Sequence, residues 1–214
     1  FSVPTGNFGN IFAGYLAKKL LGYGIDKLIL ATNENDILAR FVNNGDYSVR
    51  EVIPTISPAM DIQIASNFER YLYYFYEEDS KKTALAMDSF AKNKRLTFTE
   101  EEIKRVQKDF WACSVSQSEI LETIRITYEK WGYILDPHTA VGVRAALSLK
   151  DKKPIICLST AHPAKFPETV RNALQKDFPL PKEIEELKIK PQKYEIFEGE
   201  TEKIKGYLSD KALL

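Results

Sequence analysis

Gly6 and Gly9 stand in the stretch Pro4-Thr5-Gly6-Asn7-Phe8-Gly9-Asn10, between an apolar run and a helical pattern. Glycines at such a junction let successive backbone N–H groups turn toward one point, and a following helix adds its positive end. The chemistry that suits this spacing is anion binding, above all of a phosphate. The stretch is not the dinucleotide fingerprint, which needs another glycine two residues before Gly6, nor the nucleotide P-loop, which needs a lysine after the last glycine. Taken alone, a tight strand-to-helix turn explains the residues equally well.

Two other stretches place polar residues directly after apolar runs. Thr32-Asn33-Glu34-Asn35-Asp36 is a cluster of good helix-capping residues. Ser159-Thr160-Ala161-His162-Pro163-Ala164-Lys165-Phe166 brings hydroxyls, an imidazole and an ammonium together within a few positions. No glycine elbow surrounds Ser159, so a serine nucleophile with His162 as its base is disfavoured. His138 follows Pro137 at a helix start, where a structural hydrogen bond is favoured over general-base work.

The elements needed to position these stretches are those of an α/β protein. Residues 1–5 read as a strand, and Ile11, Phe12, Tyr15, Leu16 and Leu20 share one helix face. Gly22 and Gly24 stop that helix. Residues 28–31 read as a buried parallel strand, followed by a helix bearing Ile37, Leu38, Phe41 and Val42. In parallel sheets ligands collect beyond the carboxyl ends of strands, where all three polar stretches fall. The expected organisation is an α/β unit over residues 1–60, a mainly helical region over 61–132, resumed α/β over 133–178, and a carboxy-terminal extension over 179–214 that packs loosely on the surface. Within the helical region, residues 67–77 carry aromatics on too many faces for one amphipathic stripe, which predicts burial on more than one side. Residues 79–108 read as exposed charged helices and loops.

Composition narrows the partners. Thirty Lys and Arg balance thirty Asp and Glu among 214 residues, which gives no electrostatic reason to expect nucleic acid or an anionic membrane. No apolar stretch approaches the roughly 20 residues of a membrane span. Cys113 and Cys157 have no metal-type spacing, and Cys157 within residues 155–158 reads as a buried reduced thiol of a reducing, cytoplasmic compartment. No metal is expected. An opening on an apolar strand without an initiating methionine reads as the carboxy-terminal portion of a longer chain.

Taken together, "SVPTGNFGN", "ATNENDIL", "MDIQIASNFER", "DPHTAVG" and "STAHPAKF" resemble the threonine synthases of the longer microbial and fungal type, in that family's order. The resemblance implies the pyridoxal-phosphate (PLP) fold type II shared with tryptophan synthase β: a parallel sheet flanked by helices, with a helical insertion. It implies conversion of O-phospho-L-homoserine and water to L-threonine and phosphate by β,γ-replacement. Gly6, Asn7, Phe8 and Gly9, with Asn10 beside them, match the loop that holds the cofactor phosphate. Thr160 matches the hydroxyl beside the pyridine nitrogen, which it can meet without fixing a proton there as a carboxylate would.

The family's Schiff-base lysine lies upstream, and nothing here matches its surroundings; Lys165 is not that residue. The resemblance therefore implies no catalytic residue in this chain, an inactive isolated chain, and the missing amino-terminal part of the enzyme as its partner. Asn33, Asn35 and Arg40 are candidates for the substrate phosphate, against capping and a surface arginine as the competing reading. Ala59 stands where the family commonly has serine. Two alternatives stay open: a threonine-synthase-like phospho-lyase releasing 2-oxobutyrate, and a non-catalytic phosphate-binding module.

Overall fold

The two apolar runs at the start of the chain become neighbouring parallel strands in the computed structural model, which describes residues 1–149, 153–187 and 189–212. Strand β1 (Ser2–Pro4) pairs with β2 (Leu28–Thr32) so that Ser2 lies opposite Ile29 and Pro4 opposite Ala31. On its other side β2 pairs with β5 (Phe110–Ser114), Leu28 opposite Phe110 and Thr32 opposite Ser114. The sheet order is β1-β2-β5. All five residues of β2 are buried, as a strand covered on both faces requires.

Alternation along β2 sorts the core into two layers. Leu28 and Leu30 join a cluster with Phe8, Phe41, Phe68 and Phe110, while Ile29 and Ala31 join one with Ile120, Ile124, Val141 and Ala145. Helices α1 (Gly9–Leu21), α2 (Ile37–Asn44) and α3 (Phe68–Phe75) build the first layer. Helices α6 (Gln117–Trp131), α7 (Pro137–Ser148) and α8 (Pro167–Leu174) build the second. Helix α1 buries Ile11, Phe12 and Tyr15 as the spacing predicts, but Leu20 in its last turn is 87% exposed. Helix α3 buries Phe68, Tyr71, Leu72 and Phe75 and half-buries Tyr73 and Tyr74, the broad burial expected of its aromatics.

Residues 61–132 are mainly helical and also supply β5, which pairs with the central strand β2. Two expectations are corrected. Residues 79–108 fold as α4 (Ser80–Asn93), β4 (Arg95–Thr97) and α5 (Glu100–Asp109), with β4 pairing antiparallel to β3 (Asp46–Ser48), and they bury Thr83, Phe90 and Val106. The apolar run at residues 155–158 makes one parallel bridge, Cys157 to Ser2, fixed by Ser2 N–H to Ile156 O at 2.8 Å and Leu158 N–H to Ser2 O at 2.9 Å. At that sheet edge Cys157 is half-buried rather than buried.

Helix α7 reaches the carboxyl end of β1 because Gly142 lets it approach. A Cβ on Gly142 would lie 2.9 Å from Pro4 Cγ, and Ser2 Oγ donates to Gly142 O at 2.6 Å. Everything up to Phe178 forms one compact unit, and Pro179–Leu214 forms a second. The second unit contains α9 (Lys182–Leu187) and α10 (Thr201–Ala212), with the Phe197 and Tyr207 rings 4.6 Å apart. Among the described residues no helix is long and apolar enough to cross a membrane, and no His, Cys, Asp and Glu group is arranged to hold a metal.

Candidate functional site

Where β1 ends, Thr5 N–H donates to Ala31 O at 2.8 Å and the chain turns into α1. Gly6 admits no side chain there: a Cβ would lie 2.9 Å from Ala59 O and 3.2 Å from Met60 Cα, both backbone atoms. Phe8 takes the left-handed conformation, φ 64°, which is costly for a bulky residue. Its ring offsets that cost by complete burial, with Phe68, Tyr71 and Phe110 at centroid distances of 5.7, 5.6 and 6.0 Å. Asn67 holds the far side of the turn through its backbone N–H and its Nδ2, both donating to Asn7 O.

The turn leaves a row of open donors. Phe8 is the N-cap of α1 and offers no side-chain acceptor, and among the described residues none of the backbone N–H groups of residues 6–10 donates to the protein. Consecutive amides at a helix N-terminus form a concave site for an oxyanion. They line a cavity of about 300 Å³ that also takes in Ala59, Met60, His138, Thr160 and Lys165.

Thr160 also lines this cavity and is held by a chain of hydrogen bonds. Its N–H donates to Thr139 Oγ1 at 3.1 Å, and the Thr139 hydroxyl donates to Asp136 Oδ2. Asp136, 1% exposed, is the N-cap of α7 and accepts from the His138 and Thr139 N–H groups at 2.8 and 3.2 Å. Burial alone pushes the Asp136 carboxyl up, but the hydrogen bonds from His138 and Thr139 outweigh it and leave it below the usual carboxylate range. The Thr160 side chain itself is exposed to the cavity.

His138 is 5% exposed and ties the third wall in place. Its Nε2 accepts the Ala59 N–H at 3.2 Å, which assigns the ring proton of the neutral imidazole to Nδ1. Nδ1 lies 3.3 Å from Asp136 Oδ1, close enough for attraction but too poorly aligned for a hydrogen bond, and it has no other partner. Phe166 packs on the ring at 4.8 Å. His138 thus braces the Ala59 loop, the start of α7 and the segment after Thr160 against one another.

Asn33, Asn35 and Arg40 stand outside the cavity lining. The fully buried Asn33 shares its Nδ2 hydrogens among Thr55 Oγ1 at 2.8 Å, Ser57 Oγ at 3.0 Å and Asp61 Oδ1 at 2.7 Å. Asn35 Nδ2 donates to Ile53 O at 2.8 Å and to Asp61 Oδ1 at 3.1 Å. Together they fix the loop that delivers Ala59 and Met60 to the cavity. Arg40 is 6% exposed, not a surface arginine, and pairs with Asp36 at 2.9 Å and Asp46 at 2.5 Å while donating to Ser48 O at 2.7 Å. The joining of His138 to Ala59, 79 positions apart, had no signal in the sequence, whereas Lys165 lies on the cavity, at the end of a polar stretch that the sequence placed where ligands collect. The Asp136-Pro137-His138-Thr139 capping pattern was the one local signal for the Thr139 support.

Comparison with known proteins gives this geometry a context. Residues 139–208 match the family described as "Threonine synthase, C-terminal". The chain is 40% identical to threonine synthase of Pseudomonas aeruginosa over 98% of its own length and 45% of that protein, and 44% identical to that of Saccharomyces cerevisiae over 99% and 46%. It superposes on the crystal structure of PLP-bound threonine synthase from Brucella melitensis with a TM-score of 0.90 at 39% identity, covering 98% of this chain and 45% of that one. It therefore spans somewhat under half the length of the relatives it matches. The fold is fold type II, an α/β arrangement with a parallel sheet flanked by helices. With 98% of its length aligned at 40% identity to one threonine synthase and 99% at 44% to another, the chain belongs to the threonine synthase family.

Proposed function

We propose that the chain supplies the cofactor-cradling part of a threonine synthase active site, in a complete protein that converts O-phospho-L-homoserine and water to L-threonine and phosphate. The observation that carries this reading is the row of unpartnered amides at residues 6–10 facing the same cavity as the Thr160 side chain. A PLP group fits this donor set: a phosphate takes the amides where Gly6 excludes a side chain, and a hydroxyl is offered to the ring nitrogen. When bound, PLP supplies the electron sink that acidifies carbon next to the substrate amine.

Each group of this chain has a defined task in that reading. Gly6, Asn7, Phe8, Gly9 and Asn10 hold the cofactor phosphate through backbone N–H groups and the helix end. Thr160, oriented by Thr139 and Asp136, accepts or donates at the pyridine nitrogen without fixing its charge. His138 positions the Ala59 loop. Asn33, Asn35 and Arg40 act on the substrate indirectly, by fixing that loop and α2. The Schiff-base lysine comes from the amino-terminal part of the enzyme, so the isolated chain does not turn over. The free Cys113 and Cys157 are in keeping with a reducing, cytoplasmic setting.

The test is product analysis on the complete protein with O-phospho-L-homoserine, in which threonine and phosphate are expected in equal amounts. Release of 2-oxobutyrate without threonine would overturn the assignment in favour of the phospho-lyase.

A further inference from the structure

The catalytic cavity holds a second source of positive charge besides the amides of residues 6–10. Lys165 is the one cationic side chain on its lining, and no aspartate or glutamate lines it among the described residues. Lys165 ends the short 3-10 turn Pro163–Lys165. That turn is set by Lys165 N–H to His162 O at 3.0 Å, Phe166 N–H to Pro163 O at 2.9 Å and Ala164 N–H to His162 Nδ1 at 3.1 Å. On one side it follows Thr160, anchored to Thr139, and on the other it is closed by Phe166 against His138. The backbone beneath the ammonium is fixed, while the ammonium makes no ion pair with a described residue and remains solvent-accessible.

Charge accounting assigns this cation a ligand. In the function proposed above, on which this inference rests, two phosphate groups enter one cavity: the cofactor's and the one the substrate loses. The open amides satisfy the first. The second needs a cation, because its charge grows as the ester oxygen departs. Arg40, the cation that the sequence offered for that role, lies off the cavity lining and has its donors taken by Asp36, Asp46 and Ser48. Asn33 and Asn35 are turned into the loop of residues 53–61. We propose that Lys165 binds the substrate's phosphate ester and stabilises the phosphate as it leaves.

The experiment uses the complete holoenzyme with Lys165→Met and Lys165→Arg. Three constants are read: the dissociation constant of PLP from its absorbance, KM and kcat for O-phospho-L-homoserine, and the inhibition constant of inorganic phosphate. Lys165→Met is expected to raise KM and the phosphate inhibition constant about tenfold or more and to lower kcat, the size set by loss of one charge-assisted hydrogen bond. PLP affinity should stay within about threefold, and Lys165→Arg should recover most of the phosphate binding. An unchanged phosphate inhibition constant in Lys165→Met would overturn the inference. So would a loss of PLP affinity without a change in phosphate inhibition, since the cofactor would then be the anion that Lys165 serves. If the unsubstituted protein neither binds PLP nor turns over, it is the functional reading that fails.

Discussion

Replacing Thr139 by valine keeps the shape of a side chain that is 4% exposed and removes only its hydroxyl. That hydroxyl donates to Asp136 Oδ2 and accepts the Thr160 N–H. Its loss strips a buried carboxylate oxygen of its hydroxyl donor, costing about 1–3 kcal/mol, and leaves the Thr160 amide without its acceptor, costing roughly another 1 kcal/mol. Thr139→Ser keeps both hydrogen bonds and loses one buried methyl, worth about 1 kcal/mol. The valine variant should therefore be less stable than serine by roughly 2 kcal/mol, the reverse of what packing alone dictates.

Denaturant midpoints of the complete protein measure that gap, and equilibrium binding of PLP reports whether the Thr160 end of the cavity has shifted. A tenfold weaker cofactor affinity is expected for valine, with recovery by serine. Acid titration adds a signed check. Because the Asp136 carboxyl titrates below its unfolded value of 3.8, its stabilisation is present above that value and lost as pH falls through the folded one. With a donor removed the depression shrinks, so Thr139→Val should acid-unfold at higher pH than the unsubstituted protein. Equal behaviour of the two variants, or a serine variant worse than valine, would refute the argument.

Gly6→Ala drives a Cβ into Ala59 O and Met60 Cα, so PLP affinity should fall by at least tenfold in an equilibrium titration while the fold persists. Arg40→Met removes the shared partner of Asp36 and Asp46, whose carboxylates are about a quarter exposed, and should destabilise by about 2–3 kcal/mol in urea with little change in KM for the substrate. A KM raised tenfold at unchanged stability would instead make Arg40 a substrate ligand. Tyr47, whose hydroxyl accepts the Ala65 N–H, has its phenol pushed up to about 12 by burial. Stability from that neutral phenol is full below pH 10 and is lost toward pH 12, by up to about 3 kcal/mol. Absorbance at alkaline pH should show a late tyrosine ionisation step that coincides with unfolding.

Local chemistry explains which parts were legible in the sequence. The turn at Gly6 and Gly9, the strand of residues 28–31 and the buried face of α1 are written in neighbouring residues, and each is found where those residues place it. Strand β5 escaped because Phe110-Trp111-Ala112-Cys113-Ser114 is short and lies between the charged α5 and the Ser116 cap, so no run long enough to show a period precedes or follows it. Strand β4 is mostly exposed, and its pairing with β3 bridges about fifty positions. Arg40 looks like any surface arginine until α2 folds it between Asp36, four residues back, and Asp46, which arrives only when the chain reverses at Gly45. The bracing role of His138 depends on an acceptor geometry that no local pattern encodes.

Phe8 gives the site a further property. One residue belongs both to the row of open amides and, through its ring, to the aromatic centre formed by Phe68, Tyr71 and Phe110. The left-handed backbone that aims the amides exists because that ring is locked in place. Occupancy of the cavity and integrity of the aromatic layer are thus two sides of one thermodynamic cycle. In the proposed function, a substitution at Phe110, which is not on the cavity lining, would weaken retention of the phosphate group, and a filled cavity would lend the aromatic layer tolerance to change.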